Sequence, residues 1–148
     1  MKKEKINEIK SRFRANSSNE ALARVMTTAF LMPYSPTVEE LADIKTAVSE
    51  AVTNAIVHGY RSDDKKYINM TLVMYSDGSF SASIVDKGCG IPDIKQAMQP
   101  LFTTDAENER SGMGFSIMET FSDKLRVRSR VGEGTGVTMV KKLSQFKK

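Results

Sequence analysis

The chain has 148 residues, of which 40% are hydrophobic and 27% are charged, and its formal net charge is +4. A chain of this length forms one typical domain, which we place at residues 1–148, and buries enough surface for a core without disulfides. No apolar run reaches the roughly 18 residues of a membrane span, and the opening residues lack the apolar stretch of a signal peptide. With a single cysteine, Cys89, the composition predicts a cytoplasmic protein without membrane contact.

The first half of the chain predicts one strand followed by two helices. Residues 9–13 alternate with charged positions, which indicates a short opening strand. Residues 17–20 match a capping box, and the apolar positions that follow at helical spacing are Leu22, Val25, Met26, Ala29 and Phe30. A second capping box at residues 37–40 begins a longer apolar helix, which we expect to end near Gly59.

The middle of the chain predicts a hairpin and then a long loop. Two strand-like runs, Tyr67–Tyr75 and Ser79–Asp86, are joined by residues 76–78, whose sequence Ser-Asp-Gly is typical of a hairpin turn. A short helix is expected at residues 93–98. Residues from about 99 to 113 show no clear period, and a loop of that length inside a compact domain is often a lid.

The last part predicts a helix and two further strands. The helix spans residues 115–121, and strands at 124–131 and 137–143 flank a glycine-rich turn at residues 132–136. The order of all these elements predicts an α+β fold. We expect a two-layer α/β sandwich with helices on one face of a mixed, mainly antiparallel sheet.

Glu50 and Asn54 are polar residues inside a helical segment that is otherwise almost entirely apolar. Residues four apart on a helix lie about 5–6 Å apart at Cβ, so the pair can share one ligand or one hydrated metal. Asn54 offers the hard oxygen that Mg²⁺ prefers when it bridges substrate phosphates. Glu50 can accept a proton from an attacking hydroxyl or water. The structural alternatives are a hydrogen-bonding asparagine and a buried ion pair.

Three glycine pairs occur at element boundaries: Gly88 and Gly90, Gly112 and Gly114, and Gly134 and Gly136. None continues into a dinucleotide or P-loop motif, and each alone fits a tight turn. The pair at 112 and 114 precedes a helix, whose free N–H groups and positive partial charge favour a polyphosphate. Asp86 either accepts a hydrogen bond from an exocyclic amine such as that of adenine, or caps a turn.

Three arginines, Arg126, Arg128 and Arg130, alternate with aliphatic residues near the C-terminus. A strand here turns the arginines to solvent and Leu125, Val127 and Val131 inward. The pattern favours a solvated sheet face over a surface for phosphate or an acidic partner. A basic nucleic-acid binder remains a third function, but we expect no direct contact with nucleic acid. One histidine and one cysteine exclude a zinc site of the His/Cys type in practice.

Taken in order, these residues resemble the motifs of the GHKL ATPase superfamily, which has the Bergerat fold. The matching motifs are Glu50-x-x-x-Asn54, Asp86-x-Gly88-x-Gly90, Gly112-x-Gly114 and Gly134-Thr135. Within the superfamily the chain is most similar to the small anti-sigma factors with serine kinase activity, especially those of endospore-forming bacteria. Residues 49–60, 99–104 and 110–115 carry that closer match. Gly136 departs from it, because relatives often have a second threonine there.

The resemblance implies a site for ATP or ADP with Mg²⁺. In it, Glu50 is the catalytic base, Asn54 the Mg²⁺ ligand and Asp86 the acceptor for adenine. The further nucleotide contacts that it implies are Gly88, Gly90, Thr104, Arg110, Gly112, Met113, Gly114 and Thr135. Arg110 lies in the expected lid at 99–113. Arg24, on the first helix, matches a position that contacts both protein partners.

The function implied is an ATP-dependent switch. An anti-sigma factor of this kind holds a sporulation sigma factor of the sigma F type inactive and phosphorylates a serine of its anti-anti-sigma partner. A homodimer through the opening strand and helix is also implied. The alternatives are a non-catalytic, ATP-gated binding module and an anti-sigma kinase of the general stress-response type.

Overall fold

The computed structural model describes residues 3–91 and 114–144. The helix expected at 93–98 and the lid expected at 99–113 lie outside these residues. The described elements are β1 (Lys5–Arg14), α1 (Ser18–Leu31), a 3₁₀ turn (Met32–Tyr34), α2 (Val38–Asn54), a π-helical turn (Ala55–Gly59), β2 (Tyr67–Tyr75), β3 (Ser79–Asp86), α3 (Gly114–Thr120), β4 (Lys124–Arg130) and β5 (Gly134–Lys142).

The five strands form one sheet in the order β1-β2-β3-β5-β4. All four pairings between described strands are antiparallel, so the sheet is less mixed than the sequence suggested. Strands β2 and β3 have the predicted bounds, because clean alternation and an Asp-Gly turn fix both ends. The predicted α+β architecture, with helices on one side of the sheet, is confirmed.

The core lies between the helices and one face of the sheet. From α2, Ile44, Val48 and Val52 are buried against sheet residues such as Ile84 and Met139. Helix α3 packs against α2 through buried Phe115 and Met118, which gives the helical layer a second contact with α2. This packing fixes the orientation of α2, the helix that carries Glu50 and Asn54. Within residues 3–91 and 114–144, no helix is long and apolar enough to cross a membrane.

Only one of the two predicted capping boxes forms. The Thr37 side chain accepts from the Glu40 backbone N–H at 3.0 Å, and the Glu40 carboxylate accepts from the Thr37 N–H at 2.9 Å. Ser17, in contrast, makes no side-chain cap hydrogen bond. The Asn16 side chain takes that role by accepting from the Ser18 N–H at 2.9 Å, so the first predicted capping box is wrong.

Helix α1 forms as expected, but it buries a different face from the one predicted. Its buried residues are Ala23, Thr27, Phe30 and Leu31, whereas Leu22 is 45% and Val25 is 63% exposed. The helix contacts α2, and its buried residues Ala23 and Leu31 belong to the common core. Leu22 and Val25 therefore form an apolar outer face that the monomer does not cover.

The predicted turn at residues 132–136 is shorter in the structure, because β5 already begins at Gly134. The φ angle of Gly134 is 112°, and a Cβ there would lie 2.1 Å from the backbone oxygen of Asp86. This glycine therefore permits close contact between strands, not a turn. Leu125 and Val127 pack against the core as predicted, but Val131 is 67% exposed because β4 ends before it.

Candidate functional site

Helix α2 carries Glu50 and Asn54 near its C-terminal end. Both residues are half-buried, whereas Ala51, Val52 and Ala55 beside them are buried in the core. The spacing of four residues puts Glu50 and Asn54 on the same face. Immediately before Glu50, the Ser49 hydroxyl donates a hydrogen bond to the Glu20 carboxylate of α1.

The end of α2 widens into a π-helical turn directly after Asn54. The Tyr60 N–H donates to the Ala55 carbonyl at 2.9 Å, five residues back, and Ser62 donates to the Ile56 carbonyl at 2.8 Å. Arg61 and Ser62 then take positive φ angles of 49° and 63°. Such single π turns occur frequently at functional sites. Here the turn brings Gly59 against the end of β3.

Asp86 is the last residue of β3, is only 4% exposed, and lies directly on Gly59. A Cβ on Gly59 would lie 2.7 Å from the Asp86 carboxyl carbon, so only glycine allows this approach. Burial raises the pKa of Asp86 above its ordinary value, and hydrogen bonds from the backbone of Gly88 and Thr135 oppose that rise. The result is a buried acceptor held between α2 and the sheet.

The loop after Asp86 is tied to the same helix end. The Gly88 N–H donates to the Asp86 Oδ1 at 2.9 Å, and the Cys89 N–H donates to the Gly59 carbonyl at 2.9 Å. A Cβ on Gly88 would lie 1.9 Å from the Gly59 carbonyl oxygen, so side chains are excluded there. Gly90 has a φ of 78°, and a Cβ there would lie 2.1 Å from the Arg130 carbonyl oxygen. Both glycines therefore serve close backbone contact as well as a turn.

Thr135 lies opposite Asp86 in the register of β3 with β5, and it is 4% exposed. Its hydroxyl shares a hydrogen bond of 2.8 Å with the Ser129 hydroxyl. Ser129 also accepts from the Ile91 N–H at 2.7 Å, which joins β4 to the loop after Asp86. Ser129 was not among the predicted site residues, because its position between two arginines of an alternating strand does not indicate a functional side chain.

Tyr60 is a second residue that the sequence analysis missed. Its hydroxyl donates to the Tyr67 carbonyl at 2.6 Å and accepts from the Lys87 N–H at 2.7 Å. It thereby links the turn after α2 to both β2 and the loop after β3. In the sequence, only its position directly after Gly59, at the expected end of the helix, could have indicated a role for Tyr60.

The structure thus brings one group of the predicted site residues together at the end of α2: Asp86, Gly88, Gly90 and Thr135, with Asn54 and Glu50 upstream on the helix. Gly114 is the first residue of α3, which packs on α2. The predicted contacts Thr104, Arg110, Gly112 and Met113 lie outside the described residues. Arg24 lies apart on α1, where its guanidinium makes a salt bridge of 3.0 Å with Glu20.

Asp86 has more contacts than a turn-capping aspartate requires. A turn-capping Asp needs only the bond from Gly88, but Asp86 is also buried, faces Thr135, and is approached by Gly59 with no side chain between them. A buried acceptor of this kind is stabilised by an amino group that donates to it. The Asn54 amide oxygen is a hard donor of the kind that Mg²⁺ prefers.

Comparisons with known proteins identify the family of the chain. Residues 13–141 match the model of the histidine kinase-like ATPase domain. The anti-sigma F factor of Geobacillus kaustophilus strain HTA426 is 49% identical over 141 residues, which cover 95% of this chain and 96% of that protein. The anti-sigma F factor of Lysinibacillus sphaericus is 52% identical over 136 residues, which cover 92% of each chain.

A solved structure shows the same fold at lower identity. The crystal structure of the RsbU and RsbW domains of Rv1364c from Mycobacterium tuberculosis superposes with a TM-score of 0.68 at 21% identity, and the match covers 96% of this chain. This chain spans 35% of that longer chain. The chain therefore belongs to the histidine kinase-like ATPase family, and within it to the group of the anti-sigma F factors.

Proposed function

We propose that this protein is an anti-sigma factor that inhibits a sporulation sigma factor of the sigma F type and uses Mg-ATP to phosphorylate a serine of an anti-anti-sigma protein. The observation that supports this most strongly is the buried Asp86 carboxylate, held between Gly59 and Thr135 at the end of the helix that carries Glu50. Identities of 49–52% to proteins named anti-sigma F factor support the regulatory role.

ATP or ADP is the proposed ligand, with its base at the end of β3. Asp86 would accept a hydrogen bond from the adenine amino group, because a buried carboxylate favours a donor. Gly88, Gly90 and Thr135 would line the base pocket. The proposed contacts to the phosphates are Gly114, at the start of α3, and Thr104, Arg110, Gly112 and Met113.

Glu50 and Asn54 are the proposed catalytic pair. Asn54 would hold Mg²⁺ through its amide oxygen, and bound Mg²⁺ supplies neutralisation of the phosphate charge. Glu50 would orient the serine hydroxyl of the partner. As the hydroxyl oxygen bonds to the terminal phosphorus and the bond to the ADP oxygen breaks, Glu50 takes the hydroxyl proton. Positioning and electrostatics are sufficient for this class of reaction.

Arg24 is the proposed contact for both protein partners. It is exposed on α1, and Glu20 holds its guanidinium through Nε at 3.0 Å and Nη2 at 3.2 Å. Leu22 and Val25 flank it as exposed apolar residues, which is the composition of a docking surface. We place this regulator in the cytoplasm as a homodimer.

Transfer of labelled phosphate tests the catalytic part of the proposal. The purified protein is incubated with radiolabelled ATP and a candidate anti-anti-sigma protein. Glu50→Gln should reduce transfer at least about 100-fold, because it removes the proton acceptor, while nucleotide affinity changes little. Glu39→Gln is the control, because Glu39 is exposed in the first turn of the same helix.

Two results would count against the proposal. Transfer by Glu50→Gln at the wild-type rate would show that Glu50 is not the base. Nucleotide binding without any transfer by the wild-type protein would favour the alternative, a non-catalytic module gated by ATP.

A further inference from the structure

The face of the sheet that carries no helix has basic residues at both edges and small polar residues between them. Opposite residues of antiparallel strands share a face. One row across the sheet is therefore Arg128, Gly136, Val85, Asn69 and Arg12, and the next is Arg126, Thr138, Ser83, Thr71 and Lys10. The hydrogen bond of 2.9 Å between Ser83 and Thr138 lies on this face. We call this surface the basic sheet face.

The charge of the basic sheet face is concentrated along β4. Lys124, Arg126, Arg128 and Arg130 are all exposed, and alternate residues of a strand repeat every 6.6–6.8 Å or so. Arg130 lies 3.7 Å from the exposed Glu133. Within residues 3–91 and 114–144, neither Arg126 nor Arg128 has an ion-pair partner. Like charges at this spacing repel, and Arg126 and Arg128 are therefore left without compensation.

Protection of an edge strand against aggregation explains a charged β4 only in part. Charged side chains, especially Lys, serve that role on an edge strand. Here four successive outward positions of β4 are cationic, and β1, about 19 Å away across the sheet, adds Arg12 and Arg14 on the same face. Glu8 of β1 is an acidic residue of the same face, in the row of Lys124, but the outward positions of β4 are all positively charged, and this indicates an anionic partner.

The chemistry of the basic sheet face favours an acidic polypeptide over a single-stranded nucleic acid. Sheets that bind single strands stack bases on exposed aromatic rings. The two tyrosines of β2 on this face are both covered by cations of the chain itself. Arg12 lies 4.0 Å from the Tyr67 ring centroid, and Lys3 lies 4.4 Å from that of Tyr75. The centre of the face instead offers hydroxyls, which can bond a peptide backbone.

We propose that the basic sheet face binds an extended acidic segment of a protein partner, with carboxylates at alternate residues paired to Arg126, Arg128 and Arg130. An extended peptide has the same two-residue period as β4, so successive carboxylates meet successive guanidinium groups. This surface lies on the side of the sheet opposite to α1 and α2. It is therefore separate from the proposed nucleotide site and from the proposed Arg24 site.

Fluorescence anisotropy with a labelled peptide of alternating aspartate and threonine tests this inference. The wild-type protein should bind the peptide, and the double variant Arg126→Glu/Arg128→Glu should bind it at least about tenfold more weakly. The matched control is Lys65→Glu/Lys66→Glu, which changes the net charge equally at exposed loop residues and should change affinity little. Circular dichroism verifies folding, and Arg126→Gln/Arg128→Gln, which only removes charge, should give an intermediate loss.

Four outcomes would overturn the inference. The first is that the peptide does not bind at low salt, and the second is that the arginine and lysine variants lose peptide affinity equally. The third is that an isomeric peptide with all its aspartates in one block binds as tightly as the alternating peptide. The fourth is that an oligothymidylate binds more tightly than the peptide and that its binding depends on the arginines. ATP affinity, measured in parallel, should be unchanged in both variants. Failure of this inference is therefore distinguishable from failure of the nucleotide site.

Discussion

Replacing Asp86 by asparagine separates the binding role of this carboxylate from its structural role. Asparagine has nearly the same shape as aspartate and keeps one side-chain oxygen. In the wild type, the Gly88 N–H donates to Asp86 Oδ1 at 2.9 Å, and the asparagine oxygen can accept the same hydrogen bond. What it loses is the negative charge and the second acceptor oxygen. If Asp86 receives the adenine amino group, the variant has to bind nucleotide more weakly without losing the fold.

The size of the loss follows from the kind of hydrogen bond that is removed. A hydrogen bond to a charged group contributes about 1.5–3 kcal/mol. The affinity for ATP should therefore fall about 10- to 150-fold in Asp86→Asn. Isothermal titration calorimetry at neutral pH measures it, and an affinity equal to that of the wild type would refute the assignment of Asp86.

The same variant tests the electrostatics of the pocket through its stability. Burial raises the pKa of Asp86, against the lowering effect of the backbone of Gly88 and Thr135. When the pKa of an acid is higher in the folded than in the unfolded protein, protonation favours the folded state. For Asp86 this contribution to stability is complete below the unfolded-state pKa of about 3.9, and it is lost as pH rises through the folded-state pKa. The free energy of unfolding of the wild type should therefore fall relative to Asp86→Asn as pH rises from about 4 to neutral. A wild-type free energy of unfolding that stays constant or rises relative to that of Asp86→Asn over this range would contradict the argument.

Two further changes test how the strands and α2 are held. Gly134→Ala should lower the free energy of unfolding by at least about 2 kcal/mol, because a Cβ would lie 2.1 Å from the Asp86 backbone oxygen at a φ of 112°. Gly136→Ala, whose Cβ would have its nearest neighbour at 3.7 Å, should change it by less than about 1 kcal/mol in the same urea titration, and equal effects would contradict the account. Glu40→Gln should cost about 1–3 kcal/mol, because the Ser144 N–H loses its charged acceptor at 2.8 Å. Burial acts to raise the pKa of Glu40, but the hydrogen bonds that the carboxylate accepts lower this pKa overall. The wild type should therefore lose its greater free energy of unfolding, relative to Glu40→Gln, as pH falls below 4.5. A difference in the free energy of unfolding that persists in acid would contradict this explanation.

The sequence predicted those parts of the fold in which local signals agree with one another. Strands Tyr67–Tyr75 and Ser79–Asp86 have the expected bounds because alternation, burial and an Asp-Gly turn all favour the same hairpin. The capping box at Thr37 forms because the two Glu40 oxygens serve different donors: Oε1 accepts from the Thr37 N–H, and Oε2 accepts from the Ser144 N–H. Near Ser17, Glu20 is instead bound to Arg24 and Ser49, a tertiary contact that no local pattern contains.

The candidate site was predictable as a set of residues, but not as a geometry. Glu50 and Asn54 could be recognised because they are polar residues within an otherwise apolar helical segment. The π-helical turn and the contact of Gly59 with Asp86 depend on two segments 27 residues apart, and glycine spacing alone does not distinguish close packing from a turn. Ser129 was hidden for the same reason, because its partners Ile91 and Thr135 come from different elements.

A crystal structure of the protein with Mg²⁺ and a non-hydrolysable ATP analogue would show whether the nucleotide occupies the proposed site. We expect the adenine amino group within hydrogen-bond distance of the Asp86 carboxylate, and Mg²⁺ bound to the Asn54 amide oxygen with Glu50 facing the terminal phosphate. Nucleotide bound elsewhere on the chain, or no nucleotide in crystals grown at saturating analogue, would refute the proposed site.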